Sequence, residues 1–156
     1  MVDTLQLNIL IDIIYCKFYY SKFPLPYRSE FFGSTILKPV IPVKIIIGDK
    51  SLRYSALIDS GADFCIFDAE IGENLGLNVK LGKKEIFGGI QEKSGAEAFF
   101  HEVKLDIGGW NYKTVVGFSY DIAKHGFGIL GQIGFFDIFV VKFDLIKEEI
   151  ELKERK

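Results

Sequence analysis

One stretch of the chain, Ala56-Leu57-Ile58-Asp59-Ser60-Gly61-Ala62-Asp63, sets a carboxylate up for chemistry. An apolar run ends there in Asp-Ser-Gly. Ser60 carries a hydroxyl that hydrogen-bonds locally and Gly61 is free to take a positive φ, so the stretch predicts a sharp turn that pins the Asp59 carboxylate at a strand end. By themselves the same three residues also spell an ordinary β-turn, and only their surroundings separate the two readings. Other chemistries find less support. His101 and His125 lie far apart, without helical spacing or accompanying cysteines, and are read as structural or exposed. Cys16 and Cys65 have no metal-ligand spacing and are too few for a disulfide framework, so both are read as free thiols, and neither a metal nor a cofactor is expected. No G-x-S-x-G is present, which removes a serine-hydrolase elbow. Gly126, Gly128 and Gly131 spell G-x-G-x-x-G, but a dinucleotide fingerprint follows the first strand of a βαβ unit and opens a sizeable helix. These glycines come late, between strand-like residues.

The elements that must position Asp59 read as strands. Val40 to Ile47 and Leu52 to Ile58 flank a Gly48-Asp49-Lys50 turn, a hairpin that delivers the loop. After the apolar run Phe64 to Phe67, Asp68 is placed to cap a short helix from Ala69 to Leu75, stopped by Gly76, and Leu77 to Leu81 reads as a return to strand. Ile86-Phe87-Gly88-Gly89-Ile90-Gln91 through Ser94-Gly95 looks like a mobile hairpin between β-prone flanks. Phe99 to Ile107 and Trp110 to Phe118 alternate around Gly108-Gly109, a pair suited to a type I′ turn. Gly128 to Gly131 follows the loop Ser119 to Phe127, Ile133 to Ile138 is expected to form a short helix despite Gly134, and Val140 to Leu145 pairs with Glu149 to Leu152. Hairpin upon hairpin predicts an all-β, single-domain protein with one or two short helices.

Upstream, Leu5 to Ile13 alternates as a strand, with a helical stripe as the competing reading. Phe23-Pro24-Leu25-Pro26-Tyr27 cannot be a regular helix and reads as an extended connector. Residues 1–30 are therefore set apart as an arm or extension, and residues 31–156 as the domain.

The totals bound the rest. A chain of 156 residues fits one domain and buries roughly 70 % of its unfolded surface. With a net charge of −2 and mixed signs throughout, it has no basic stripe of the kind that phosphate backbones demand, so nucleic acid is excluded as a partner. Gln6, Asn8, Asp12 and Lys17 interrupt the N-terminal apolar run, so no membrane span is expected. Asp3 sits where a signal peptide carries positive charge, and a cytoplasmic location is the resulting expectation.

Three ordered segments over residues 40–145 resemble the retropepsin-like (retroviral-type) aspartic proteases, in a cellular or microbial form. These are the apolar strand ending in Asp59-Ser60-Gly61-Ala62-Asp63, the glycine-rich Phe87-Gly88-Gly89-Ile90, and Ile129-Leu130-Gly131. The resemblance implies a closed acid-protease β-barrel and an aspartic peptidase. Asp59, Ser60 and Gly61 would be catalytic, with Ser60 tying two active-site loops together. Ala62, Asp63, Gly88, Gly89, Ile90, Ile129 and Leu130 would contact substrate, the glycine pair as a flap. A single Asp-Ser-Gly per chain implies a homodimer, one Asp59 from each subunit, acting on peptides or unfolded proteins. Viral members usually place Arg after the apolar-apolar-Gly motif, paired with the Asp of Gly-Ala-Asp. Gln132 stands there in this chain and cannot form that ion pair with Asp63. The final hairpin also replaces a single terminal strand. The competing reading is a proteolytically inactive module that keeps the fold for dimerisation or peptide binding, and a third has the N-terminal arm lying in the cleft as a self-inhibitory segment.

Overall fold

The computed structural model describes residues 15–88, 95–122 and 126–155; the expected strand from Leu5 to Ile13 lies outside them, as do Gly89, Ile90 and His125. Alternation of side chains builds the first strands. In β4 (Val40–Ile47) Ile41, Val43 and Ile45 point inward and are essentially fully buried. Gly48 takes a positive φ of 60° and the chain returns as β5 (Lys50–Ile58), in register from Ile47 opposite Lys50 to Val40 opposite Leu57.

After the Asp59 loop comes β6 (Ile66–Asp68), then α1 (Ala69–Asn74), with the Asp68 carboxylate accepting the Glu70 N–H as N-cap. Gly72 lets α1 sit close, since a Cβ there would lie 3.0 Å from Phe118 and from Val79. The expected strand from Leu77 to Leu81 is instead a 3-10 turn over Val79–Leu81. Its hydrogen bonds close locally, Leu81 N–H to the Asn78 carbonyl and Gly82 N–H to the Val79 carbonyl. The apolar alternation misleads because Val79 is buried while Leu81 is left exposed.

β7 (Lys83–Phe87), β8 (Ala96–Ile107) and β9 (Trp110–Ser119) follow as an antiparallel run. Gly108 and Gly109 both take positive φ, 64° and 91°, as a type I′ turn requires. The short β10 (Gly128–Leu130) inserts between β5, to which it is parallel, and β6, to which it is antiparallel. The seven-stranded sheet runs β4-β5-β10-β6-β9-β8-β7, and an extra β4–β8 pairing closes six of these strands into a barrel with β7 attached along β8.

Ile133 to Ile138 forms no helix. Gly134 takes a φ of 99° and its N–H bonds the Asp137 side chain. Phe136 and Asp137 reach back to the carbonyls of Gly131 and Gln132. These contacts make a knot of turns around Phe135, which is fully buried. β11 (Phe139–Asp144) and β12 (Glu149–Glu154) then pair as expected, and β1 (Tyr15–Tyr19) adds to β12, making a three-stranded sheet.

One core unites the two sheets. Ile150, Leu152 and Phe139 of the small sheet cluster with Phe67, Leu105, Phe118 and Leu130 of the barrel. The proline-rich connector is extended, as expected, and is itself a strand, β2 (Ser21–Ser29), paired with β3 (Gly33–Lys38). The irregular register between Pro24 and Ser29 follows from the missing proline donors. Among the described residues no helix is long and apolar enough to cross a membrane, and no group of three or more metal-ligating side chains occurs.

Candidate active site

β5 ends at Ile58, and the next four residues form the loop. The Asp59 carbonyl accepts the Ala62 N–H at 3.2 Å, closing the turn, and Asp59 Oδ1 accepts the Gly61 N–H at 2.9 Å. Gly61 does not take the positive φ that its type permits. Glycine is apt here for another reason: a Cβ would stand 3.2 Å from Asp59 Oδ1, against the carboxylate that the Gly61 N–H holds.

The loop is fastened to the segment behind β10. Asp59 N–H donates to the Leu130 carbonyl at 3.0 Å, Gln132 N–H to Ala62 at 2.8 Å and Ile133 N–H to Asp63 at 2.9 Å. Gln132 donates from Nε2 to the Ser60 carbonyl at 3.1 Å. It thereby braces the loop by a neutral hydrogen bond. The Asp63 side chain is exposed, with no cation in ion-pair range among the described residues. Gly131 is dictated by this close packing, because a Cβ would lie 2.7 Å from the Ala62 carbonyl oxygen and closer still to that of Phe64.

A groove of about 410 Å³ opens beside the loop, lined by Gly61, Ala62, Asp63, Phe64, Ile66, Ile129 and, from the end of β7, Ile86, Phe87 and Gly88. The structure thus gathers Gly61, Ala62, Asp63, Gly88 and Ile129 along one cleft, with Asp59 hydrogen-bonded to its Gly61 wall. Leu130 is not part of the wall: its side chain is fully buried, and its contribution is the carbonyl under Asp59. Phe64, Ile66, Ile86 and Phe87 also line the cleft although none is an expected substrate contact; the sequence places Ile86 and Phe87 only in the glycine-rich hairpin. For Ile86 and Phe87 a signal existed, their position just before the glycine pair. Phe64 and Ile66 could be placed only by knowing that β6 borders β10.

The loop also borders a shallow depression of about 520 Å³ formed by Ser60, Gln132, Ile133, Phe136, Asp137 and Arg155, where Ile133 is half exposed. A further pocket, about 260 Å³, lies between β1, β4 and the β8–β9 turn, and its carboxylate, Asp106, is already paired with Lys44. It has no comparable poised group. His101 is structural, as expected, its Nε2–H donating to the Val79 carbonyl at 2.7 Å. Both cysteines are free thiols, and burial pushes the Cys65 thiol up to about 12.

A strand inserted between the two strands that flank an Asp-Ser-Gly loop, inside a closed barrel, defines a retropepsin-like fold. The chain is similar to the crystal structure of a retropepsin-like aspartic protease from Rickettsia conorii, with a TM-score of 0.52 and 15% identity over 92% of this chain and 94% of that one. A weaker similarity is to EIAV protease complexed with the inhibitor HBY-793, with a TM-score of 0.42 and 24% identity over 69% of this chain and 88% of that one. No protein-family model matches the chain, and no curated protein sequence does.

Proposed function

We propose that the protein is an aspartic endopeptidase acting as a homodimer, with Asp59 of each subunit forming one catalytic dyad. The observation that carries this reading is the placement of the Asp59 carboxylate. It is held by the N–H of Gly61, a residue of the groove wall, and the loop that carries it is braced by the Leu130 carbonyl and by Gln132. One carboxylate cannot both take a proton from water and give one to a carbonyl oxygen. Two that share a site cannot both ionise cheaply, so one stays protonated and the pair titrates as a unit.

In this mechanism the ionised member accepts a proton from water as the water oxygen attacks the peptide carbonyl carbon. The neutral member gives its proton to the carbonyl oxygen. Collapse of the tetrahedral adduct breaks the C–N bond: the protonated member gives its proton to the leaving amine, one hydroxyl of the adduct returns a proton to the ionised member, and the products are a carboxylic acid and an amine with the dyad again singly protonated. Ser60 lines the second depression, with Ile133 and Phe136, and there two loops would meet across a two-fold axis with the two apolar side chains as part of the contact. Gly88, Gly89 and Ile90 would close over an extended substrate as a flap, and Ala62, Asp63 and Ile129 would line its path.

Subunit mixing tests the shared dyad. If a dimer needs two Asp59 residues, exchange with an equal amount of Asp59→Asn chain leaves about a quarter of dimers intact and cuts activity per wild-type chain to about half. Activity per wild-type chain that does not change on mixing would show that each subunit works alone and would contradict the proposal.

A further inference from the structure

Among the described residues that line the groove beside the Asp59 loop, Asp63 is the one with an ionisable side chain. The rest of the wall is glycine, alanine and apolar side chains such as Phe64, Ile66, Phe87 and Ile129. The Asp63 backbone is fixed, because its carbonyl accepts the Ile133 N–H at 2.9 Å and the next residue, Phe64, bridges to Ile133. The residue is nevertheless exposed, and among the described residues its carboxylate has neither a hydrogen-bond donor nor a cation.

Neighbouring cations are engaged elsewhere. β7, which brings Ile86 and Phe87 to the groove, carries Lys83 and Lys84, and these pair with Glu85 at 3.3 Å and with Glu97. Gln132, which packs against the loop, turns its amide to the Ser60 carbonyl and has no charge to offer. The described wall of the groove therefore carries one uncompensated negative charge on rigid backbone. In open water such a carboxylate attracts a cation only weakly. A peptide lying along the apolar wall displaces that water, and the attraction strengthens as the local dielectric falls. A neutral or acidic side chain in the same place would leave the carboxylate covered and unpaired, which discriminates against it.

We propose that Asp63 is a specificity residue, selecting substrates with a lysine or arginine side chain near the cleaved bond. This rests on the peptidase reading above. The aliphatic stem of the basic residue lies on the apolar wall and its charged head meets the carboxylate. A two-fold dimer repeats Asp63 in each half of the site, so the preference falls on both sides of the cut.

The test is cleavage-site profiling of the full chain on an unfolded protein, read by mass spectrometry, followed by matched peptides that differ only by Lys or Gln at the enriched position. The wild type is expected to enrich Lys or Arg and to favour the Lys peptide by about fivefold in kcat/KM, through KM. Asp63→Asn should bring the ratio near one, Asp63→Lys should turn the preference toward a Glu peptide, and Asp63→Glu should keep it. Because the ratio compares two peptides on one enzyme, a change in overall activity cancels. Melting curves report whether each variant folds. On the wild type alone, salt at about 1 M should move the ratio toward one, a measurement that needs no variant. No basic enrichment, a ratio indifferent to salt, or a ratio unchanged in folded Asp63→Asn overturns the proposal while leaving cleavage that depends on Asp59 intact. No cleavage by the wild type at all overturns the peptidase reading and this inference with it.

Discussion

At the scale of single residues, Gly131 and Cys65 make the site's rigidity testable. Both the Ala62 and Phe64 carbonyls crowd the position that a Gly131 side chain would need, and both belong to backbone that cannot move without dragging the Asp59 loop. Gly131→Ala is expected to cost about 1–3 kcal/mol and to lower activity beyond its effect on folding. Urea midpoints and initial rates on the same preparation check this; unchanged values for both would contradict it. Cys65 and Tyr112 give a pH dependence. Burial raises the Cys65 thiol to about 12 and also raises the Tyr112 hydroxyl, which donates to the Gly134 carbonyl. Both groups hold their protons more tightly folded than unfolded. Their contribution is therefore fully present below the unfolded values, about 8.5 for Cys and about 10 for Tyr, and is lost as pH rises past them. Stability should hold to about pH 8 and decline above about pH 9, and a thiol reagent at pH 8 should leave Cys65 untouched until the protein unfolds. Native Cys65 that reacts as fast as a free thiol would contradict this placement. A turn at Asp59 was legible from Asp-Ser-Gly at the end of an apolar strand, but its form was not, since it closes on the Asp59 carbonyl and side chain and not on a positive φ at Gly61. Nor was the role of Gln132, because Ser60 is its neighbour only in space.

At the scale of elements, the hairpins declared themselves by alternation and by turn glycines. Gly108-Gly109 and Gly48 hold the positive φ that their turns need, and β8, β9, β11 and β12 fall within a few residues of expectation. Short apolar segments were misread where local hydrogen bonds overrode periodicity. Ile133 to Ile138 has apolar residues at helical spacing, yet the Gly134 conformation and the Asp137 side chain turn the chain into a knot. Strand β1 depends on a partner far along the sequence. Its Tyr15–Tyr19 backbone pairs with Lys153 to Glu149, and Cys16 and Phe18 pack on the main core. Removing residues 1–19 uncovers that part of the core and one edge of β12, and should lower Tm by roughly 5 °C or more. Thermal melting of the shortened chain checks it, and an unchanged Tm would show that β1 adds little to the fold.

For the whole molecule, closure of the barrel was the least legible feature. The pairing of Lys44, Ile45 and Ile46 with Asp106, Leu105 and Lys104 leaves no mark in either strand's own pattern. Closure leaves β5, β6 and β10 locked together, which is what gives the Asp59 loop a fixed base. The proposed dimer then turns on the face beside that base. Ile133 is half exposed and its side chain is outside the buried core, so Ile133→Glu should leave the monomer folded, halve the molar mass in solution and abolish cleavage. Light scattering with a circular-dichroism melt separates this from simple unfolding, and a variant that stays dimeric and active would move the interface elsewhere.

The central claim is that Asp59 performs hydrolysis as half of a two-chain dyad. The most direct measurement is cleavage of an unfolded protein between about pH 4 and 7 by wild type and by Asp59→Asn, with molar mass determined in the same buffers. The account predicts that a dimeric wild type cleaves with a bell-shaped pH profile and that the equally folded, equally dimeric variant loses about 10²-fold or more of that activity. A variant that cleaves as well as the wild type, or a folded wild-type dimer that does not cleave at all, would contradict it.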